Sequence, residues 1–365
     1  METVVYKLGE VLDNYDYLRK PLSSMERESF QGEFPYYGAQ GIIDFVREYR
    51  CDGEYMLIAE DGENLMSRSQ PIALIASGKF WVNNHAHIVK TNSRADMHYT
   101  CYALNHMDIM GFVTGSAQPK LSQGNLNRIR IAFPSVLDQQ KIVAILSAYD
   151  KMIEINNKRI KVLEQMAENL YKEWFVRFRF PGHESAEFEN GIPKGWDIKR
   201  IRDIVKRLPF GTLYKAENTE REGNIVVIDQ SQDELVGYHN GEPSHIASID
   251  NPIALFGDHS CKYQLMITPF SLSENVVPYI GESGIMTIYL YYLTHSTVET
   301  TEYKRHWTEF TAKKVFVAPE HLQKLFVEHV KPYIQMKHEI STIKKNLIKQ
   351  RDLLLPRLMS GKLEV

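Results

Sequence analysis

IRIAFPSVLDQQKIVAILSAYDKMIEINNKRIKVLEQMAENLYKEWF, residues 129–175, decides the architecture. A short apolar pattern, Ile129–Phe133, ends in the step Phe133-Pro134, and a long helical pattern follows. Ile142, Leu146, Tyr149, Ile153, Asn156, Ile160, Leu163, Ala167, Leu170 and Trp174 recur in steps of four and three, a heptad seam. No Gly or Pro interrupts it. At 1.5 Å per residue the helix would run roughly 60 Å. A stripe of that length needs a partner helix to cover it. Asn156 is the one polar seam residue: either a register-fixing position that costs stability or a solvated break.

The pattern recurs half a chain later in KVFVAPEHLQKLFVEHVKPYIQMKHEISTIKKNLIKQRDLLL, residues 314–355. An apolar run ends in Ala318-Pro319, and Leu322, Phe326, His329, Tyr333, Met336, Ile340, Ile343, Leu347, Gln350 and Leu354 repeat the spacing. Pro332 predicts a kink or restart within this helix, and Pro356 predicts its end. Two β-rich stretches, each followed by a matching helix, mark an internal duplication. The two helices are expected to pair antiparallel within the chain, with the modules at opposite ends about a pseudo-twofold axis. Pairing between two chains is the competing arrangement.

The expected fold is α+β: two β-rich α/β modules joined by two long antiparallel coiled-coil helices. Residues 1–134 form the first module, 135–180 the first helix, 181–318 the second module and 319–365 the second helix. Candidate strands are Tyr55–Ala59, Ile72–Ala76, Ile129–Phe133, Ile225–Ile228, Ile253–Phe256, Gln264–Ile267 and Lys314–Val317. Helical pieces are expected at Ile42–Arg50 and Asp96–Met107. Ile285–Thr294 suits a strand or a buried helix. Residues 179–195, with Pro, Gly, Ser and Glu, read as an exposed connector.

A chain of 365 residues suits two or three domains. The formal net charge of −3 argues against a uniformly basic nucleic-acid coat but leaves room for a local basic groove. Cys51, Cys101 and Cys261 are odd in number and far apart, which supports neither a disulfide framework nor a thiolate zinc site. The start lacks a basic-then-apolar leader pattern, and no run of 18 apolar residues occurs. The cytoplasm is therefore the expected compartment.

Enzymatic motifs are missing: there is no Walker loop, and no Gly-x-Gly-x-x-Gly follows a strand. His85 and His87 would share a strand face, but no third ligand accompanies them, so they read as ordinary strand or loop histidines. Gly257-Asp258 and Asp61-Gly62 read as equivalent turns after equivalent strands. Cationic, amide and aromatic residues interleave in both modules, as in Lys79-Phe80-Trp81 with Asn83 and Asn84, and in Tyr303-Lys304-Arg305 with Trp307. Arg and Lys neutralise phosphates, while Asn, Gln and Ser read base edges. Polarity and loop context make Lys79, Asn83, Asn84, Lys120 and Gln123 the candidate DNA-contacting residues of the first module. Lys262, Ser273, Asn275, Lys304 and Arg305 are those of the second. Lys158-Arg159-Lys161 and Lys344-Lys345-Lys349 lie off the seam, free to track phosphate, dock subunits or solubilise the helices.

Several stretches together resemble one family, the specificity subunits of type I restriction–modification systems. Gly115-Ser116-Ala117-Gln118-Pro119 with Leu121-Ser122 is similar to the signature that closes a target recognition domain. Phe133-Pro134 with Gln139-Gln140-Lys141-Ile142 resembles the start of the conserved helix, and Leu170–Phe175 its end. Gly191-Ile192-Pro193-Lys194-Gly195-Trp196 resembles the opening of the second recognition domain. Leu354-Leu355-Pro356-Arg357-Leu358-Met359-Ser360-Gly361-Lys362-Leu363 resembles the C-terminal signature. Two departures stand out. The first module opens on Tyr6-Lys7-Leu8-Gly9, without Pro-x-Gly-Trp. The second closes on Trp307–Thr311, and no Glu-Gln follows Pro319. The resemblance implies a non-catalytic reader of double-stranded DNA, each domain binding one half of a split site. The helices would set the spacer and dock two modification subunits, and restriction subunits through them. It implies no cofactor on this chain, S-adenosylmethionine and ATP belonging to the partner subunits.

Overall fold

In the computed structural model, which describes residues 2–115, 118–231, 235–295, 297–299 and 304–365, the chain divides into two units. Met1–Ile155 with Lys344–Val365 form the first, and Asn156–Ile343 the second. The division cuts through both long helices, because each half of a helix packs on the unit in which it lies.

The first unit runs β1 (Val4–Lys7), β2 (Leu12–Asn14), α1 (Ser24–Ser29), β3 (Gln31–Gly38), β4 (Gly41–Val46), β5 (Cys51–Ala59), α2 (Asn64–Ser67), β6 (Ala73–Val82), β7 (Ala86–Thr91), α3 (Met97–His106), α4 (Gln123–Leu126) and β8 (Arg130–Phe133), then enters α5 (Val136–Tyr171). Six strands form one sheet in the order β2-β7-β5-β6-β3-β4. The apolar run Tyr55–Ala59 makes β5 its buried centre, antiparallel to both neighbours. Gly78, at φ +85°, bends β6, whose far half pairs with β3 in parallel. β1 pairs with β8 and ties the two ends of the module together.

The second unit begins in α5, leaves it through a π turn at Lys172–Val176, and runs β9 (Phe188–Glu189), β10 (Ile192–Pro193), β11 (Asp197–Arg200), β12 (Val205–Arg207), β13 (Ile225–Ile228), β14 (Leu235–His239), β15 (Ile253–Gly257), β16 (Tyr263–Met266), β17 (Phe270–Leu272), β18 (Val276–Gly281), α6 (Thr287–Thr294), α7 (Trp307–Ala312) and β19 (Lys314–Val317) into α8 (Glu320–Met359). β11–β19 repeats β1–β8. The order β12-β18-β15-β16 repeats β2-β7-β5-β6, and β14-β13-β17 repeats β4-β3-β6, down to the parallel contact. The counterpart of β6 is split into β16 and β17 at Thr268-Pro269, because proline has no N–H to give to a ladder. The duplication is present strand by strand.

All ten seam residues expected on α5 are at least half-shielded. Ile142 and Leu146 enter the core of the first unit, while Ala167, Trp174 and Phe175 enter that of the second. The α8 seam needs correction. Leu322, Phe326, Tyr333, Ile340, Leu347 and Leu354 are shielded, but His329, Met336, Ile343 and Gln350 are exposed. Val330, Lys337, Lys344 and Arg351 take their places. Two successive steps of four, Leu322 to Phe326 to Val330, move the stripe round by one residue. The cationic residues cover apolar surface with their stems and keep their heads at the edge. Lys344 thus lies on the stripe, not off it.

Those heads find acids on α5. Arg351 Nη1 lies 2.7 Å from Asp150 Oδ1 in the first unit, and Lys337 Nζ 2.7 Å from Glu164 Oε1 in the second. Each pair lies within its own unit and joins α5 to α8 there. Tyr102 of α3 donates to the other oxygen of Asp150.

Three further expectations need adjusting: Pro332 brings no restart of the helix, Pro356 does not end it, and one expected helical piece is a strand. α8 continues unbroken through Pro332 and through Pro356. The carbonyls that these prolines deprive of a donor belong to Glu328 and Asp352, both exposed residues, where water can replace the lost bond. Ile42–Arg50 is not helical: β4 starts at Gly41, paired across a tight turn with Gly38, and Ile42, Ile43 and Phe45 are about half exposed. Ile285–Thr294 resolves in favour of a buried helix, α6.

A duplicated buried lock holds each module to its helix. Gln139, fully buried, accepts from the Asp96 N–H (2.7 Å) at the start of α3 and donates to the Pro134 carbonyl (2.9 Å). Gln323 does the same with the Met286 N–H (3.3 Å) and the Ala318 carbonyl (2.8 Å). Tyr99 and Tyr289 complete the two locks, their hydroxyls donating to the carbonyls of Ala132 (3.1 Å) and Phe316 (3.4 Å).

Candidate functional site

Backbone hydrogen bonds bring the same three segments together at one end of the central strand in each unit. Glu60 follows β5. Its N–H reaches the His85 carbonyl (2.9 Å), and its carbonyl accepts from Leu121 (2.7 Å). Asp258 follows β15. Its N–H reaches the Asn275 carbonyl (2.8 Å), and its carbonyl accepts from His306 (2.8 Å). Glu60 therefore corresponds to Asp258, His85 to Asn275 and Leu121 to His306. The turns after β5 and β15 are equivalent as expected, although Asp258 aligns with Glu60 and not with Asp61.

This correspondence groups most of the candidates chosen from sequence. Asn83 falls on Ser273, and Lys120 on Arg305. Each cation lies over the strand-end acid: Lys120 Nζ is 3.1 Å from Glu60 Oε1, and Arg305 Nε is 3.9 Å from Asp258 Oδ2. Asn84 is exposed in the turn between β6 and β7, and Gln123 is exposed at the first position of α4. Asn275, at φ +64°, shapes the equivalent turn before β18. Lys304 is exposed beside Arg305, and Lys262 donates to the Ser231 carbonyl (2.5 Å). Pro119 runs directly into the cluster, its carbonyl accepting from Gly62 (3.1 Å). Ser116 and Ala117 of the same motif, and Tyr303, lie outside the described residues.

Two candidates are corrected from readers to braces. Asn83 is 5% exposed and its Oδ1 accepts from the His85 N–H (2.8 Å), while Ser273 is 6% exposed and donates to Asp229 (2.5 Å). Their polarity in a loop reflects the turn they hold. Lys79 stands apart, opposite Asp52 at the other end of β5, with its ammonium 4.6 Å from the Tyr49 ring.

Charges missed in the sequence surround the first cluster. Arg19 pairs with both Glu60 and Asp16. Buried His87 places Nδ1 2.8 Å from Asp16 and Nε2 3.0 Å from the Leu121 carbonyl, while exposed His85 faces Asp61 at 2.8 Å. The two histidines thus have separate partners. Burial pushes the Asp16 and Glu60 carboxyls up. Hydrogen bonds from His87, the Ile88 N–H and Asn14 outweigh it at Asp16, and Arg19 and Lys120 outweigh it at Glu60, so both end below their ordinary values. Such acids are invisible as a site in sequence, because Asp16, Glu60 and His87 come from three distant segments. Among the described residues no group of three or more His, Cys, Asp or Glu side chains is arranged to hold a metal, and no helix is long and apolar enough to cross a membrane.

Residues 1–165 match the family described as the type I restriction modification DNA specificity domain. A Haemophilus influenzae protein bearing the name type I restriction enzyme specificity subunit S.HindORF215P is 38% identical over 141 residues, covering 39% of this chain and 36% of that protein. The MjaIX specificity subunit of Methanocaldococcus jannaschii is 28% identical over 300 residues, covering 71% of this chain and 65% of its own length. Over these regions the chain is similar to type I specificity subunits. The regions matched thus span between about a third and two thirds of these curated relatives. The crystal structure of a type I restriction–modification S subunit from M. genitalium shares the fold, with a TM-score of 0.67 over 98% of this chain and 96% of that one at 13% identity.

Proposed function

We propose that this chain is the sequence-reading subunit of a type I restriction–modification complex. Each unit reads one half of a bipartite site in double-stranded DNA through the loop cluster at the end of its central strand. One observation carries this reading: two modules of divergent sequence place a cation, an acid and a polar turn at equivalent positions. Lys120, Arg305 and Lys304 are the phosphate contacts of this proposal, and Asn84, Gln123 and Asn275 its base-edge contacts. The antiparallel helices set the unread spacer and dock two modification subunits, through which restriction subunits join. S-adenosylmethionine and ATP chemistry resides on those partners, and this chain supplies no catalytic group.

The test is methylome sequencing of a host that expresses the chain with its modification subunit, against the same host lacking the chain. A split motif modified only when the chain is present is the expected result. Unchanged modification, or a single uninterrupted motif, would reject the proposal.

A further inference from the structure

The two edge hairpins that end beside the clusters carry different residues at their tips. In the first unit the β3–β4 tip carries Ile42 and Ile43, 49% and 51% exposed. A Cβ added to Gly38 would meet Ile43 Cδ1 at 3.2 Å and Asn83 Nδ2 at 3.4 Å, so a glycine there lets Ile43 and the turn Asn83-Asn84-His85 crowd onto one side of the tip. Exposed Lys20 is tied to the same place, its N–H reaching the Val82 carbonyl (3.1 Å), and Lys120 stands across the turn. The nearby acids are matched, Glu60 by Arg19 and Lys120, Asp61 by His85. The result is an exposed apolar tip among amides and cations. In the second unit, the described part of the β13–β14 tip is Asp229, Gln230 and Ser231, and Leu235, which opens β14, is 39% exposed.

Base edges in the major groove present one apolar group, the thymine methyl. Building on the reading of this chain as a DNA reader, we propose that Ile43, flanked by Ile42, packs on the 5-methyl group of a thymine in the half-site read by the first unit. Asn83 acts as a positioning residue that holds Asn84 and the tip together. The first unit therefore requires an A·T pair at one position partly for its methyl group.

The test uses the full chain assembled with its modification subunit, and duplexes carrying the methylome-defined site. Each thymine is replaced in turn by uracil, which lacks the methyl but keeps every hydrogen-bonding group. One thymine in the first half-site is expected to lose about fourfold in affinity on replacement, as burial of a single methyl implies. The Ile43→Ala variant should bind the thymine and uracil duplexes equally while still selecting the second half-site. Unchanged affinity at every uracil, a first half-site without thymine, or an intact thymine preference in Ile43→Ala would overturn the proposal. So would a variant that sheds the modification subunit yet keeps the preference, since the tip would then be a protein contact. Loss of all sequence preference by the wild-type assembly would sink the DNA-reading function itself, and this proposal with it.

Discussion

Replacing Gln139 by Leu should destabilise the first unit by about 2–4 kcal/mol. Leucine fills nearly the same volume, so the cost is not a cavity. It comes from the groups left behind: the Asp96 N–H, which now reaches Gln139 at 2.7 Å, the Pro134 carbonyl, at 2.9 Å, and more weakly the Arg94 carbonyl, at 3.4 Å. Each unpaired group costs roughly 1–3 kcal/mol when shielded from water, and Gln139 itself is 0% exposed. The Met286 N–H is farther from Gln323, at 3.3 Å, so the equivalent Gln323→Leu should cost less, about 2 kcal/mol. Urea denaturation gives the total. Hydrogen exchange locates it: amides at the start of α3 should lose protection in Gln139→Leu, and those of α6 in Gln323→Leu. A loss under about 0.5 kcal/mol for Gln139→Leu, or deprotection of both units by either variant, would refute the idea that each lock serves its own module.

Pro332→Ala should raise thermal stability, by up to about 3 kcal/mol, because α8 is already helical on both sides of this exposed position; a fall in Tm would contradict that. Asn156→Leu should keep or raise stability by about 1 kcal/mol, the position being 6% exposed on the α5 stripe; a large loss in the melt would show that the amide is needed. Asp16 and Glu60 have carboxyls held below their ordinary 3.8 and 4.5. A depressed folded-state value stabilises above the unfolded one and is lost as pH falls through it, so the first unit should weaken from about pH 4.5 downward. Asp16→Asn should flatten part of that acid limb in pH-dependent unfolding, and an unchanged limb would exclude the carboxylate.

The long helices and the duplication were legible because periodicity needs no tertiary knowledge. Each of the ten α5 positions is shielded, polar Asn156 included, although Met152, Ile155 and Val162 on the same helix are about half exposed. On α8 the same rule chose Met336 and Ile343 over Lys337 and Lys344. A charge-bearing stem can occupy a stripe as well as an aliphatic side chain, and a pattern of hydropathy does not register that. Ile42–Arg50 misled for the converse reason. Its apolar spacing suits a helix face, but the residues sit exposed on an edge hairpin set by Gly38 and Gly41. At the candidate site, polarity picked Asn84, Lys120 and Arg305, which the fold leaves exposed at the cluster. It could not separate them from Asn83 and Ser273, whose polar atoms are spent inside the turn. Burial alone makes that distinction, and burial depends on strands far apart in sequence.

The most direct measurement is a module exchange. Residues 2–133 are replaced by the corresponding module of another specificity subunit, and the modified sites are mapped genome-wide in cells that also express the modification subunit. The account predicts that one half of the split motif changes while the other half and the spacer stay the same. A change in both halves, with the complex still assembled, would contradict it.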